Sequence, residues 1–381
     1  MTLPPLPSAA LRIARLEAFV LRAPVATPVQ TSFGVMHDRP AVFVRVEDSE
    51  GAQGWGEAWC NFPSCGAEHR ARLLETVLAP LLTSRDFDGP VQAFDWLSER
   101  TAVLALQSGE PGPMAQAISA IDLALWDLCA RRAGQPLWAH LGGRSGEVAV
   151  YASGINPTAP EQLVAQRHAH GYRSFKLKVG FGTERDLANL RTIRQAFGDR
   201  IELMVDANQA WNLDEALAMA GPLADFGLRW LEEPLRADRP WSEWQQLARG
   251  CPLPLAAGEN LAGGAAFDAA LDAGAVTVFQ PDVAKWGGIS GCWPVISKVL
   301  SAGRRFCPHY LGGGVGLLHS AHLLAATGGD GLLEVDANAN PLRSELAPAF
   351  SDAEAGRCLL GSAPGIGPPP DILALQRAFA H

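Results

Sequence analysis

Several things are scarce in this sequence, and each scarcity removes a class of protein. The seven cysteines, at 60, 65, 129, 251, 292, 307 and 358, are scattered and odd in number, with no Cys-x-x-Cys pair. They read as reduced, mostly buried thiols, which points to the cytoplasm. There is no long cluster of lysine and arginine, and the net charge is −9 with a pI near 5.5, which argues against a nucleic-acid partner. No stretch approaches ~18 uninterrupted apolar residues, so no membrane-spanning helix is expected. The opening MTLPPLPSAALRIARLEAFVLR has neither a continuous apolar core nor a small-residue cleavage pattern, so no secretory leader is expected there.

What is present is a globular composition, 48% hydrophobic and 19% charged, over 381 residues. That length suits two domains, or one large barrel with an addition. The first ~140 residues are mixed. LRIARLEAFVLR and AVFVRVEDSEGAQGWGEA read as strands, the second turning at Ser49, Glu50 and Gly51. GPMAQAISAIDLALWDLCARRAG reads as a helix with Ile118, Ile121, Leu125 and Leu128 on one face and Gly134 as its stop. From residue 148 the pattern changes: VAVYASGI, SFKLKVG, IELMVDANQ, RWLEEPL, LPLAAGEN, VTVFQPDV, RRFCPHY and LLEVDAN alternate with amphipathic segments. Eight strands alternating with helices predict an α/β fold, a parallel βα barrel.

Each strand candidate is apolar first and ends in a chemically useful side chain: Lys176 and Lys178, Asp206 and Asn208, Glu232 and Glu233, Glu259 and Asn260, Asp282, His309, then Glu334 and Asp336. From Lys178 the steps are 28, 26, 27, 23, 27 and 25 residues, one strand of the ring each. The C-terminal strand ends of such a barrel converge on one mouth, where active sites lie. Asp206, Glu232 and Glu259 come from neighbouring strands and offer only hard oxygen donors, which suit Mg²⁺ and not zinc. Without a cation they repel one another and are driven to protonate. For one acid alone, a salt bridge to a barrel Arg or Lys explains it as well; for three on consecutive strands a metal explains it better. The tripeptide DAN occurs at 206–208 and again at 336–338, so only strand position separates the two. Glu233, of opposite parity to Glu232, is expected to be structural.

Lys176 and Lys178 project to the same side of their strand, opposite Phe175, Leu177 and Val179. Two ammonium groups ~6.6 Å apart repel by ~2.5 kcal/mol at an effective dielectric of ~20. That lowers one pKa toward the range of a general base, while nearby carboxylates push the other way. The plainer alternative is a lysine–carboxylate salt bridge inside the barrel. Asp282 and His309, at the next strand ends, form an acid–base dyad if they meet, because the carboxylate fixes the tautomer and raises the histidine pKa. His309 stands in CPHYLGGGVG, whose glycines also suit a phosphate or carboxylate cradle. His319 and His322 read as packing or surface residues. Glu334, if protonated, is placed to hydrogen-bond a developing oxyanion.

With KLK (176–178), DAN (206–208), EEP (232–234), GEN (258–260), QPDVAKWGG (280–288), PHY (308–310) and LLEVD (332–336), the chain resembles the enolase superfamily, and within it the mandelate racemase subgroup. GWGEA (54–58), AISAIDLALWDL (117–128) and GQPLWAHLGG (134–143) resemble that superfamily's capping domain. The resemblance implies a modified (β/α)8, or (β/α)7β, barrel with an α+β capping domain. The division expected is 1–145 for the cap, 146–340 for the barrel, and 341–381 for a segment returning to the cap. It also implies Mg²⁺ held by Asp206, Glu232 and Glu259, with abstraction of the proton α to a substrate carboxylate. Lys178 is then one base with Lys176 beside it, His309 oriented by Asp282 acts on the opposite face, Glu334 donates to the carboxylate, and Asn208 is a polar contact. Related enzymes of the muconate-lactonizing type carry a lysine where Asp282 stands, and Lys285 would be the opposing base if that strand were shifted.

Three outcomes follow proton loss: dehydration of an acid sugar to a 2-keto-3-deoxy acid, racemisation or epimerisation, and cycloisomerisation of a lactone. Dehydration, the commonest assignment in the subgroup, is the one expected. The partner is then a small-molecule carboxylate, an acid sugar or its lactone, and the protein a homo-oligomer. Cap segments 29–40 and 59–65 are expected to cover the mouth. There Trp59 and Phe62 would shape the pocket and His37 and Arg39 contact a distal group, unless they only pack lid on barrel. A metal-free Schiff-base lyase and a non-catalytic sugar-acid sensor are the alternatives from other classes.

Overall fold

A computed structural model of the chain describes residue 3, residues 10–30 and residues 34–379; positions 31–33 of the expected lid lie outside the described residues. Strands β1 (Ile13–Gln30), β2 (Val35–Asp48) and β3 (Gln53–Ala58) form an antiparallel sheet in that order. The turn expected at 49–51 is present: the Asp48 carboxylate accepts from the amides of Glu50 and Ala52, both at 2.9 Å. The glycines of GWGEA let the helix Pro111–Arg132 lie against the β3 backbone. A Cβ on Gly54 would sit 2.1 Å from the Ala124 carbonyl, and one on Gly56 2.0 Å from that of Ala120. The helix, expected to have one apolar face, is buried all round from Gln116 to Ala130, because it also packs on the barrel helix Gly288–Ser301.

Eight parallel strands make the barrel: β4 (Glu147–Ile155), β5 (Ser174–Lys178), β6 (Glu202–Asp206), β7 (Leu231–Glu232), β8 (Leu255–Ala257), β9 (Val278–Phe279), β10 (Arg305–Phe306) and β11 (Leu333–Asp336). They pair in ring order from β10 back to β4, and β11 pairs with β4. Seven helices separate them among the described residues, which makes the fold (β/α)7β. At the seam the Leu332 amide donates to Cys307 Sγ at 3.3 Å. Strand β12 (Arg357–Leu359) adds antiparallel to β4, and the helix Ile372–Phe379 packs on β1. No helix among the described residues is long and apolar enough to cross a membrane.

Alternation along the strands builds the interior in layers. Tyr151, Met204, Trp230, Ala256, Val278, Cys307 and Leu332 cluster as an apolar plug. Two residues further along six of these strands stand Ser153, Asp206, Glu232, Gln280, His309 and Glu334, all buried. The plug meets the charged layer where Lys176 Nζ lies 5.4 Å from the Tyr151 ring centre and Trp230 Nε1 donates to Glu232 at 3.2 Å.

Buried carboxylates join the N-terminal layer to the barrel. Asp122 accepts from the amides of Ile289 (2.7 Å) and Ser290 (3.0 Å), at the start of the helix Gly288–Ser301. Glu57 accepts from Gly313 (2.5 Å) and Gly316 (2.8 Å), at the start of the helix Gly314–Thr327. The glycine-rich loop expected to cradle a phosphate or carboxylate therefore holds the protein's own carboxylate, which satisfies those helix-terminal donors.

Candidate active site

The metal candidates end three adjacent strands. The ladder sets Lys178 beside Asp206 and Asp206 beside Glu232. Glu259 breaks the alternation that places the others. In its strand Ala256 faces the plug, so Glu259 has the outward parity. Gly258 takes φ +145° against Gln280, where a Cβ would meet the Gln280 amide at 2.6 Å, and the chain changes face there. Glu233, hydrogen-bonded by Asn260 at 2.9 and 3.0 Å, is buried behind it.

As placed, each carboxylate of the trio has a cationic partner. Lys178 Nζ is 2.5 Å from Asp206, His309 Nε2 is 2.7 Å from Glu259, and Lys176 pairs with Glu232 and, at 2.8 Å, with Glu334. Among the described residues, no group of three or more His, Cys, Asp or Glu side chains already converges in a metal cage. The donor set nevertheless fits a divalent cation. Five buried acids, Asp206, Glu232, Glu233, Asp282 and Glu334, and the half-buried Glu259 share the mouth, among the described residues, with only Lys176, Lys178, Lys285 and His309. With every group ionised, the cluster is two positive charges short. Burial, reinforced by Asp206, Glu334 and Glu259, pushes the Glu232 carboxyl up to about 7 despite Lys176. All three candidates are hard oxygen donors, as Mg²⁺ requires.

Burial works against the charge of both lysines. Glu232 and Glu334 outweigh it at Lys176, and Asp206 outweighs it at Lys178, so both pKa values are raised. Repulsion from Lys176 does act on Lys178, as the sequence predicts, but it is the smaller influence without a divalent ion. Burial would raise the Glu334 pKa, but Lys176 and His309 hold it below the usual range. As placed it accepts from Ser153 and from the Tyr310 amide (3.1 Å).

The dyad meets: His309 Nδ1 is 2.7 Å from Asp282 Oδ2. Burial opposes the imidazolium, yet Glu259, Glu334 and Asp282 raise its pKa well above the ordinary value. The Lys285 ammonium stays apart from this pair, hydrogen-bonded to Asn260 at 2.9 Å and 4.8 Å from the Trp59 ring centre.

A cavity of about 350 Å³ lies over these groups. Lys178, Asn208, Glu259 and His309 line it from the barrel, and Trp59 and Phe62 from the lid. His37 and Arg39 do not line it. His37 is exposed, and Arg39 is buried in an ion pair with Asp336 at 2.7 Å, joined by Arg343 at 3.1 Å. The second DAN thus anchors arginines, and the plainer reading of Arg39, lid packed on barrel, describes it. Asn61, Gln116, Gln209 and Lys285 also line the cavity without having been chosen from the sequence as pocket residues. Gln280, which donates to Glu232 at 2.6 Å, was legible as the inward residue two before Asp282.

Two family models cover most of the chain: the mandelate racemase/muconate lactonizing enzyme N-terminal domain matches residues 15–142, and the enolase C-terminal domain-like model matches residues 159–372. The chain is a member of the mandelate racemase/muconate lactonizing enzyme family, in the mandelate racemase subgroup of the enolase superfamily. A crystal structure of a mandelate racemase/muconate lactonizing enzyme from Bordetella bronchiseptica RB50 is 60% identical, with a TM-score of 0.93 over 97% of this chain and 100% of that one. D-galactarolactone cycloisomerase of Agrobacterium fabrum is 30% identical over 94% of this chain and 96% of its own. A racemase from Streptomyces coelicolor A3(2), solved with bound magnesium, is 28% identical, with a TM-score of 0.85 over 96% of this chain and 99% of that one. Other family members similar to this chain are named as dehydratases and racemases.

Proposed function

We propose that this family member removes the proton α to the carboxylate of an acid sugar and expels a β-oxygen, dehydrating the acid to a 2-keto-3-deoxy acid. The observation that carries this reading is the Asp282–His309 contact at 2.7 Å, which commits Nδ1 to Asp282 and turns Nε2, paired with Glu259 as placed, to the cavity that Lys178 also lines. Lys178 takes the Cα proton as a neutral amine, after its ammonium has left Asp206 and given its own proton to solvent. Lys176, fully buried between Glu232 and Glu334, stays charged and steadies the substrate carboxylate. Imidazolium at His309, favoured by its carboxylate neighbours, delivers a proton from Nε2 to the departing oxygen. Asp206, Glu232 and Glu259 would hold Mg²⁺, which would supply a Lewis acid for the substrate carboxylate.

The same residues serve a lactone. If the leaving oxygen belongs to the ring, the outcome is cycloisomerisation, the second reading, favoured by the full-length similarity to the galactarolactone enzyme. The test is NMR in D₂O with Mg²⁺-loaded protein, a library of acid sugars and lactones, and an EDTA-treated control. A 2-keto-3-deoxy product that EDTA abolishes supports dehydration. Ring opening of a lactone alone moves the assignment to cycloisomerase. Deuterium at Cα with no loss of oxygen moves it to racemase or epimerase.

A further inference from the structure

The roof of the cavity holds an arrangement that the proton chemistry leaves unused. Arg70, on the helix Gly66–Leu73, is only 4% exposed. Its guanidinium donates to the carbonyls of Gly66 (3.3 Å) and Phe62 (3.4 Å), and its Nε donates to Gln116 Oε1 at 2.8 Å. Among the described residues no carboxylate is paired with it. A buried cation without a counter-ion is costly. Gln116 connects that charge to the cavity it lines. Because arginine only donates, its bond fixes the amide oxygen inward and turns the NH₂ away from it. Among the described residues that NH₂ has no hydrogen-bond acceptor. Lys285 lines the same cavity from the barrel, and its nearest carboxylate oxygen, on Glu259, is 3.5 Å away.

We infer that Gln116, oriented by Arg70 and faced by Lys285, is a specificity-determining residue that receives a second carboxylate, so that the substrate is a polyhydroxylated dicarboxylate or its monolactone. The inference rests on the acid-sugar reading and narrows it. The terminal CH₂OH of a monocarboxylic sugar acid offers neither cation a charge. A distal carboxylate accepts from the Gln116 NH₂ and from Lys285 and supplies the counter-ion that Arg70 lacks. Arg70 acts through Gln116 and is a positioning residue.

The test is calorimetric binding to the full chain in Mg²⁺, using matched pairs of one hydroxyl configuration: galactarate with galactonate, and glucarate with gluconate. The wild type is expected to bind the dicarboxylate of at least one pair about tenfold or more tighter. Gln116→Leu and Lys285→Met are each expected to bring that ratio to within about threefold. Arg70→Lys, which keeps a donor to Gln116, preserves the preference, and Arg70→Met loses it even where its melting temperature matches that of Arg70→Lys. No preference in either pair, no binding of any of the four acids, or a preference that survives Gln116→Leu overturns the inference. Deuterium exchange at Cα in the same samples scores the reaction separately. A preference without exchange overturns the proton chemistry alone, and exchange without a preference overturns the dicarboxylate site alone.

Discussion

Asp282 and His309 lie 27 residues apart in sequence, yet their side chains meet at 2.7 Å, Oδ2 to Nδ1. Asp282 Oδ1 is meanwhile tied to the Ala284 and Lys285 amides at 2.8 and 3.1 Å, so the carboxylate is fixed before the imidazole meets it. Asp282→Asn keeps this frame but replaces the charge with an amide, which can hold the imidazole in the wrong tautomer. It is expected to lower kcat by about 100-fold or more with a small change in KM. A kcat within about threefold of wild type in steady-state kinetics would remove the dyad from the mechanism.

Lys178 and His309 are expected to separate two steps. Lys178→Met should stop both deuterium uptake at Cα and product formation. His309→Asn should keep exchange at Cα within about tenfold while slowing loss of the β-oxygen by about 100-fold or more. NMR of both reactions in D₂O checks this. Elimination at the wild-type rate in His309→Asn would place the proton donor elsewhere.

The shortage of positive charge at the mouth has a thermodynamic consequence. Mg²⁺ that binds only the folded chain should raise the melting temperature, by an amount set by its concentration over Kd; about 2.7 kcal/mol is expected at a hundredfold excess. Glu259→Gln and Asp206→Asn should flatten that response. Differential scanning calorimetry across a Mg²⁺ titration is the measurement, and an unchanged wild-type melt would contradict the assigned ligands.

Asp122 carries a pH dependence whose sign is set by burial. Burial pushes its carboxyl up from 3.8 to about 7, against the amides of Ile289 and Ser290 and the Ser290 hydroxyl. Between those values the folded chain keeps a proton that the unfolded chain has lost, so stability falls as pH rises through the window and then levels off. The span corresponds to about 4 kcal/mol at most. Asp122 Oδ1 has no hydrogen-bond partner, so an amide nitrogen can take its place while Oδ2 remains an acceptor. Asp122→Asn is therefore expected to be more stable than wild type at pH 8, with the difference closing toward pH 4. Parallel denaturation curves for the two proteins across that range would refute the assignment.

The sequence made the ring legible because two periods coincide in it: the alternation within each strand and the step of 23 to 28 residues between strand ends. Lys176, Lys178, Asp206, Glu232, His309 and Glu334 all follow from those periods. Glu259 follows from the step but not from the alternation, since Gly258 turns the chain at φ +145°. The protonation of Lys178 and Glu334 was not legible, because it depends on which carboxylate wins at short range. The choice between substrate contact and lid packing for Arg39 was not legible, because Asp336, its partner, is 297 residues away in sequence. Gln116 was passed over because a glutamine on a helix usually reads as solvent-facing. Only Arg70 behind it and the cavity before it give it a direction.

Glu57 and Asp122 complete barrel helices that begin just after the segments carrying His309 and Asp282. A third carboxylate of the same layer, Asp127, holds the amides of Trp55 (2.9 Å) and Ile366 (2.7 Å), so the returning chain end is fastened to it as well. A chimaera that takes its substrate-covering layer from a relative must therefore import these three acids with it. Otherwise the graft would bring a new pocket roof while leaving the scaffold beneath the acid–base pair unfinished, and a change meant to alter selectivity would be read as a loss of turnover.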